Sequence, residues 1–385
     1  GRGADRNLVT TRDAIGLEQR IIAAVESGRG HGIAVVEADV AGERLQALSQ
    51  LKYGLTLNHG QEGAGRLLLA SHNRIVAIQG VAGAGKSTVL KPVADILREE
   101  GKSVLGLAVQ NTLVQMLERD TGIPSMTVAR FLRQHQGLLE GADQARLAEA
   151  RASLRGTTVL LDEASMVGNA DKEKLVRLAN LLQLDRFASI GDRKQLGAVD
   201  AGKPFDVMQK AGVETAVMNT NLRAREKALR DAQYAAQGGH IDEALRHLGP
   251  HVVASGNTAA VDAAAAWLSL SPVEREVTAI YASGRNLHGQ VNDAVQIGLK
   301  ANGELGPGSL RLNVLLRVNL TREEMRYARS FAAGMVLEVD RRQRGQGLQR
   351  GRYEVIEADP TRERVMLRNE RGKRFEFRPG QMRPQ

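Results

Sequence analysis

Residues 75–90, IVAIQGVAGAGKSTVL, join an apolar run to a glycine-rich loop and then to a helix-forming stretch. Within them, Gly80-Val81-Ala82-Gly83-Ala84-Gly85-Lys86-Ser87 satisfies G-x-x-x-x-G-K-[ST], and its place between an expected strand and an expected helix is the context in which that pattern binds phosphate. Gly80, Gly83 and Gly85, with Ala84 among them, let successive backbone N–H groups turn inward around phosphate oxygens. The start of the next helix at Thr88 adds partial positive charge. Lys86 is then placed for the β and γ phosphates and the Ser87 hydroxyl for Mg²⁺, so ATP and Mg²⁺ are the expected ligands. The alternative is a glycine-rich turn that binds nothing, with Lys86 and Ser87 in register by chance.

A strand–loop–helix of this kind belongs in a parallel α/β sheet, and the chain supplies further candidates. Val104–Val109, Thr157–Leu161 and Phe187–Ile190 are short, β-rich runs separated by helical stretches, as strands buried on both faces require. Ahead of them, Ile15, Leu17, Ile21, Ile22 and Val25 share one helical face, and Ser27-Gly28-Arg29-Gly30 ends that helix, so residues 11–69 read as a helical lead-in. Beyond Arg223 more helix is expected, then a buried strand at Val277–Tyr281 that suggests a second α/β unit. Near the end, the runs starting at Gly351, Arg364 and Arg374 alternate like strands and are separated by turns at Asp359-Pro360 and Asn369–Gly372, which together predict a small antiparallel barrel.

Two more strand ends carry polar groups, at the position where ligands bind in an open α/β sheet. In Val159-Leu160-Leu161-Asp162-Glu163-Ala164-Ser165, Asp162 can hold a magnesium ion and Glu163 can orient and deprotonate an attacking water. A helix N-cap at Asp162 is the structural alternative. In Ile190-Gly191-Asp192-Arg193-Lys194-Gln195-Leu196, Gln195 is a candidate sensor of the γ phosphate, although Gly-Asp after a strand is also an ordinary turn.

The 53 Lys and Arg against 44 Asp and Glu leave a formal charge of +9, which favours a polyanionic partner; a basic solvated surface is the alternative. At 3% aromatic residues, stacking platforms for bases are few. There are no cysteines, which excludes disulfides and thiolate metal sites, and the eight histidines show no paired ligand spacing. No apolar run approaches the roughly 20 residues of a membrane span, so membrane insertion is not expected and the chain reads as cytoplasmic. Because it starts with Gly1 rather than Met, it also reads as a piece of a longer polypeptide.

The succession GVAGAGKST, LLDEASMVGN, GDRKQLGAVDAGKPF resembles the first half of a superfamily 1B (RecD-like) DNA helicase. TVARFL at 127–132, NLRARE at 221–226, LHGQVNDAVQIGLKANGELG at 287–306 and LLRVNLTREEMRYARSF at 315–331 narrow the resemblance to the helicase part of conjugative relaxases of the TraI/TrwC (MobF) type. The resemblance implies a P-loop NTPase with a helical N-terminal subdomain at 1–69 and a RecA-like domain at 70–218 with an insertion at 131–155. A partial second RecA-like domain at 219–309 and a β-rich, 2B-like subdomain at 310–385 would follow. It assigns adenine contact to Gln61, phosphate and metal roles to Lys86, Ser87 and Asp162, water activation to Glu163, coupling to Gln195, and a γ-phosphate contact from the second motor domain to Arg223. Single-stranded DNA is the implied partner, with 5′ to 3′ translocation. Passage into a recipient cell and contact between the 2B-like tail and a type IV secretion coupling protein are further implications.

The sequence departs from the pattern at Val109-Gln110-Asn111-Thr112, where the family has a Pro-Thr pair on the DNA backbone, and at Ala224, where it often has Gln. The last helicase motifs do not occur before Gln385, and neither a histidine triad nor a catalytic tyrosine pair for nicking is present. Two readings therefore stand: a DNA-stimulated ATPase motor, and a helicase-fold module that binds DNA or the secretion machinery without turning over ATP.

Overall fold

The computed structural model describes residues 11–141, 143–194, 202–308, 314–315, 318, 320, 324–340 and 342–381. The chain divides into two units, Gly1–Val253 and Ala254–Gln385. In the first, helices α1 (Arg12–Ser27), α2 (Ala41–Tyr53) and α3 (His59–Ala70) precede β1 (Ile75–Gly80), α4 (Lys86–Glu99), β2 (Ser103–Ala108), α5 (Asn111–Thr121), β3 (Ser125–Thr127), α6 (Val128–His135) and α7 (Gln144–Ser153). Then come β4 (Thr157–Leu161), α8 (Asn169–Leu181), β5 (Arg186–Gly191), α9 (Pro204–Lys210), β6 (Thr215–Met218), α10 (Lys227–Gly238) and α11 (Ile241–Leu248).

The six strands form one sheet in the order β3-β2-β4-β5-β1-β6, with every pairing parallel. Because strand side chains alternate between faces, β1 sends Val76 and Ile78 into a core shared with α3 and α4, and Ile75 and Ala77 into a second core shared with α1 and α8. Leu160 on β4 and Ile190 on β5 join the first core, and Val159, Leu161 and Phe187 the second. Burial on both faces is why these strands read as unbroken apolar runs. On α1, Ile21 and Val25 are buried as the helical spacing predicts, while Ile15 is exposed.

Arg186, at the start of β5, is 1% exposed and donates to the carbonyls of Leu68, Asn73, Ile33 and Ser71 at 2.6–2.8 Å. It thereby ties the loops at residues 31–36 and 69–74 to the sheet. Burial pushes its guanidinium down to about 10.

In the second unit, α12 (Ala259–Leu268), α13 (Pro272–Glu276) and α14 (Arg285–Ala301) precede β7 (Val336–Val339), β8 (Gly351–Asp359), β9 (Arg364–Asn369) and β10 (Arg374–Phe377). The expected buried strand at Val277–Tyr281 is not formed: Val277 is 87% and Tyr281 95% exposed. Local bonds take its start instead, since Val277 N donates to Glu274 O and Thr278 N to Arg275 O, closing α13 as a turn. Among the described residues, no neighbouring strand offers it a ladder.

β7 to β10 make an antiparallel sheet in the order β10-β9-β8-β7. Among the described residues it runs as a meander with β7 and β10 at its ends, and Val339, Tyr353, Val355, Val365, Leu367 and Phe377 fill its core. The turns fall where expected: Asp359 Oδ1 accepts from the amides of Thr361 and Arg362, and Asn369 Oδ1 from those of Arg371 and Lys373.

Candidate functional site: the phosphate loop and its neighbours

The loop between β1 and α4 holds two left-handed glycines, Gly83 at φ +77° and Gly85 at φ +75°, a backbone that L side chains rarely adopt. Contact forbids a side chain there as well. A Cβ on Gly83 would lie 2.7 Å from Asn221 Oδ1 and 2.8 Å from Arg223 Cβ, and one on Gly85 would lie 2.5 Å from Gln61 Nε2. Gly85 caps α4, and Lys86, Ser87 and Thr88 form its first turn. A 14-residue helix with no side-chain cap therefore presents its first amides and its dipole to the loop.

Lys86 comes from this first turn and Glu163 from the end of β4, 77 residues away in sequence, yet their side chains pair at 3.4 Å and both are mostly buried. Glu163 sits at φ +47°, ψ +45°, a strained conformation for a residue with a Cβ, and one found typically where function dictates the backbone. Asp162 lies beside it, its amide bonded to Leu107 O of β2. Burial first, and then the Glu163 charge, push the Asp162 carboxyl above the usual range, against the opposing pull of Lys86. Two adjacent carboxylates facing a single lysine make a site that welcomes a cation. Hydroxyl and carboxylate oxygens such as those of Ser87 and Asp162 suit Mg²⁺, which is typically held by one or two carboxylates together with substrate phosphates.

Arg223 is brought to the loop by backbone contacts that the sequence did not reveal. Leu222 N donates to Gly83 O at 2.8 Å, and buried Asn221 accepts the Arg223 and Ala224 amides on its Oδ1 at 2.9 and 3.1 Å. Tyr234 and Gln233 of α10 bind Asn221 in turn. The Arg223 side chain is exposed. The segment that carries this arginine is thus fastened to the phosphate loop.

Gln61 is 2% exposed at the start of α3. Its amide faces the loop backbone: Nε2 donates to Ala84 O and Gly85 O, both at 3.3 Å, and Oε1 accepts from Asn58 N at 3.1 Å. Gln195 lies outside the described residues. The residues leading to it are anchored by a network missed from sequence, in which Gln79 of β1 donates to Asp192 at 2.8 Å and accepts from Arg193 N and Gln209 Nε2. Asp192 is 2% exposed, and an acid directly after Gly191 at the end of an apolar run was the signal in the sequence.

Among the described residues, no helix is long and apolar enough to cross a membrane. At the Val109–Thr112 departure, Gln110, Asn111 and Thr112 are exposed at the uncapped start of α5, which follows the carboxyl end of β2.

The multifunctional conjugation protein TraI of Escherichia coli (strain K12) is 29% identical over 252 residues, which cover 64% of this chain and 13% of that protein. The conjugal transfer protein TraA of Rhizobium radiobacter is 29% identical over 178 residues, 46% of this chain and 15% of that protein. The ATP-dependent RecD2 DNA helicase of Deinococcus radiodurans is 34% identical over 143 residues, 37% of this chain and 19% of that protein. The chain thus spans less than a fifth of each relative. Residues 314–385 match the family described as DNA relaxase TraI 2B/2B-like domain, in agreement with the resemblance of the β-rich tail. The nucleotide-binding geometry built on β1, β4 and β5 falls within residues 56–254, which make up more than half of the chain and match the model of the AAA domain family, and the chain belongs to that family.

Proposed function

We propose that the chain is the ATP-driven motor part of a conjugative relaxase-helicase, moving along single-stranded DNA in the 5′ to 3′ direction. The observation that carries this reading is the Lys86–Glu163 pair at 3.4 Å, with Asp162 beside it and the Arg223 segment bonded to the same loop. A hydrolase needs a base for water; a turn that merely binds phosphate does not. Arriving phosphates compete for Lys86 and release the Glu163 carboxylate to take a proton from the attacking water. Bound Mg²⁺, held by Ser87 and Asp162, would neutralise phosphate charge. Arg223 supplies a further positive charge from a segment tied to Gly83, and Gln195 is the proposed link between nucleotide state and the DNA track. Gln110, Asn111 and Thr112 offer donors to a DNA backbone.

The relatives support the same reading, since they are conjugation proteins and a DNA helicase. ATP hydrolysis with and without single-stranded DNA tests it, alongside Lys86→Ala and Glu163→Gln. DNA-stimulated turnover that both substitutions abolish is the expected result. DNA binding with no turnover would overturn the motor and leave a recognition module. For the 2B-like unit we propose contact with the secretion machinery, so that deleting residues 334–385 abolishes transfer of a fused reporter. Undiminished transfer would refute it.

A further inference from the structure

We infer that Gln79 is a positioning residue for ATP hydrolysis, which holds the turn after β5 in register with the phosphate loop so that loop, turn and Arg223 segment act as one unit. The inference rests on the motor function proposed above.

Gln79 immediately precedes Gly80, the first glycine of the phosphate loop, and lies opposite Gly191 of β5. Its Nε2 donates to Asp192 Oδ1 at 2.8 Å, while its Oε1 accepts from Arg193 N at 3.1 Å and from Gln209 Nε2 of α9 at 3.2 Å. A glutamine amide both donates and accepts, so it can bond a carboxylate and a backbone amide of the same turn at once. A glutamate could not donate to Asp192. That carboxylate is 2% exposed, and among the described residues no cation pairs with it, since Arg193 pairs with Asp206 instead. Asp192 Oδ1 is held by Gln79 and by Lys194 N at 3.0 Å, and a buried acid with so few donors depends heavily on each.

From this turn the contacts run on into a closed ring. Lys194 Nζ donates to Gln237 O of α10 at 3.0 Å. Tyr234 and Gln233 of the same helix hold Asn221, whose Oδ1 takes the Arg223 and Ala224 amides. Leu222 N closes the ring on Gly83 O. Gln79 and Gly83, on either side of Gly80, thus anchor its two ends. The end of β5 also abuts the residues after Glu163, because a Cβ on Gly191 would lie 3.1 Å from the amide nitrogens of Ala164 and Ser165. Phosphate entering the loop therefore meets a turn and an arginine segment already joined to it, and a shift of the loop moves both.

Exchanging amide and acid isolates this role. Gln79→Glu sets two carboxylates against each other. Combined with Asp192→Asn, it restores a donor between the two side chains, now running in the opposite direction, and leaves an oxygen for each of the Arg193, Gln209 and Lys194 donors. Wild type, Gln79→Glu, the exchanged pair and Gln209→Met are compared by steady-state ATP hydrolysis with and without single-stranded DNA. Calorimetric titration with Mg²⁺·AMPPNP reads binding, and circular dichroism checks folding. We expect Gln79→Glu to lower DNA-stimulated kcat by about tenfold or more, the scale of one or two lost buried hydrogen bonds, with KM and AMPPNP binding within about twofold of wild type. The exchanged pair should recover most of kcat, and Gln209→Met, which removes only the α9 bond, should turn over like wild type. If the charged variant unfolds, Gln79→Leu removes donor and acceptor without adding charge and carries the same expectation. Unchanged turnover, binding lost as much as kcat, or a folded exchanged pair as slow as Gln79→Glu would each overturn the inference. Wild-type protein with no turnover would overturn the motor reading, and this inference with it.

Discussion

Lys172 sits on α8 with no exposed surface, and among the described residues its ammonium has one hydrogen bond, to Ser189 Oγ of β5 at 3.1 Å. Burial alone pushes its pKa down from 10.5 to about 7. An unfolded chain, in which this lysine regains water, therefore holds the proton more tightly than the folded one. That shift corresponds to about 5 kcal/mol of instability, fully present below pH 7 and relieved as pH rises from about 7 to 10.5. Lys172→Met keeps the volume and removes the penalty, but leaves Ser189 Oγ without its partner at a cost of about 1 kcal/mol. The variant should be more stable than wild type by about 4 kcal/mol at pH 6. By pH 9, where about 2 kcal/mol of the lysine penalty remains, the gain should fall to about 1 kcal/mol. Urea unfolding of both proteins across that range measures the difference. A destabilised variant, or a gain of the same size at pH 6 and pH 9, would refute the claim that a buried, nearly unpartnered ammonium costs the fold its charge.

Other substitutions probe the same unit. Replacing Arg186 by Met strands two buried and two part-buried carbonyls and should cost about 3–5 kcal/mol by thermal or urea unfolding, whereas a loss under 1 kcal/mol would contradict its role as a tie between loops. Glu163→Gly relieves the left-handed backbone and should stabilise the fold by about 1 kcal/mol while abolishing ATP turnover, the two effects read by melting and by phosphate release. Because burial and Glu163 disfavour the ionised form of Asp162, its penalty is present above its raised pKa and is relieved as pH falls towards 3.8. Asp162→Asn should therefore melt higher than wild type at pH 8, with the advantage shrinking on acidification; an advantage that grows instead would reverse the assignment. Ser165 Oγ is buried without a hydrogen-bond partner among the described residues, so Ser165→Ala should leave the melting temperature unchanged or raised, and a fall of several degrees would show that the hydroxyl is bonded.

The phosphate loop, the acidic pair and the central strands were legible in the chain itself because each is local: glycines, a lysine and a serine in succession, or an apolar run ending in two acids. Loop conformation and strand formation at such places are decided within a few residues, and so are the Asp359 and Asn369 turns. The run at 277–281 misled for the complementary reason. Its residues favour extended backbone, but a strand exists only where a neighbour completes the ladder, and pairing is a property of the assembled sheet.

What tertiary structure alone decided is which distant groups meet. Lys86 and Glu163 were each predictable, but their pairing across 77 residues follows from β1 and β4 lying in one parallel sheet with β5 between them. Gln61 turned towards Ala84 and Gly85 because α3 packs beside α4 on one face of that sheet, and Asn221 reached Gly83 because β6 adjoins β1. Lys172 looks like an ordinary surface lysine in sequence and is wholly buried in the fold. Sequence spacing specifies how a segment turns; which face of a helix meets the sheet depends on the free energy of packing the whole unit, and that is where the polar contacts of this site were settled.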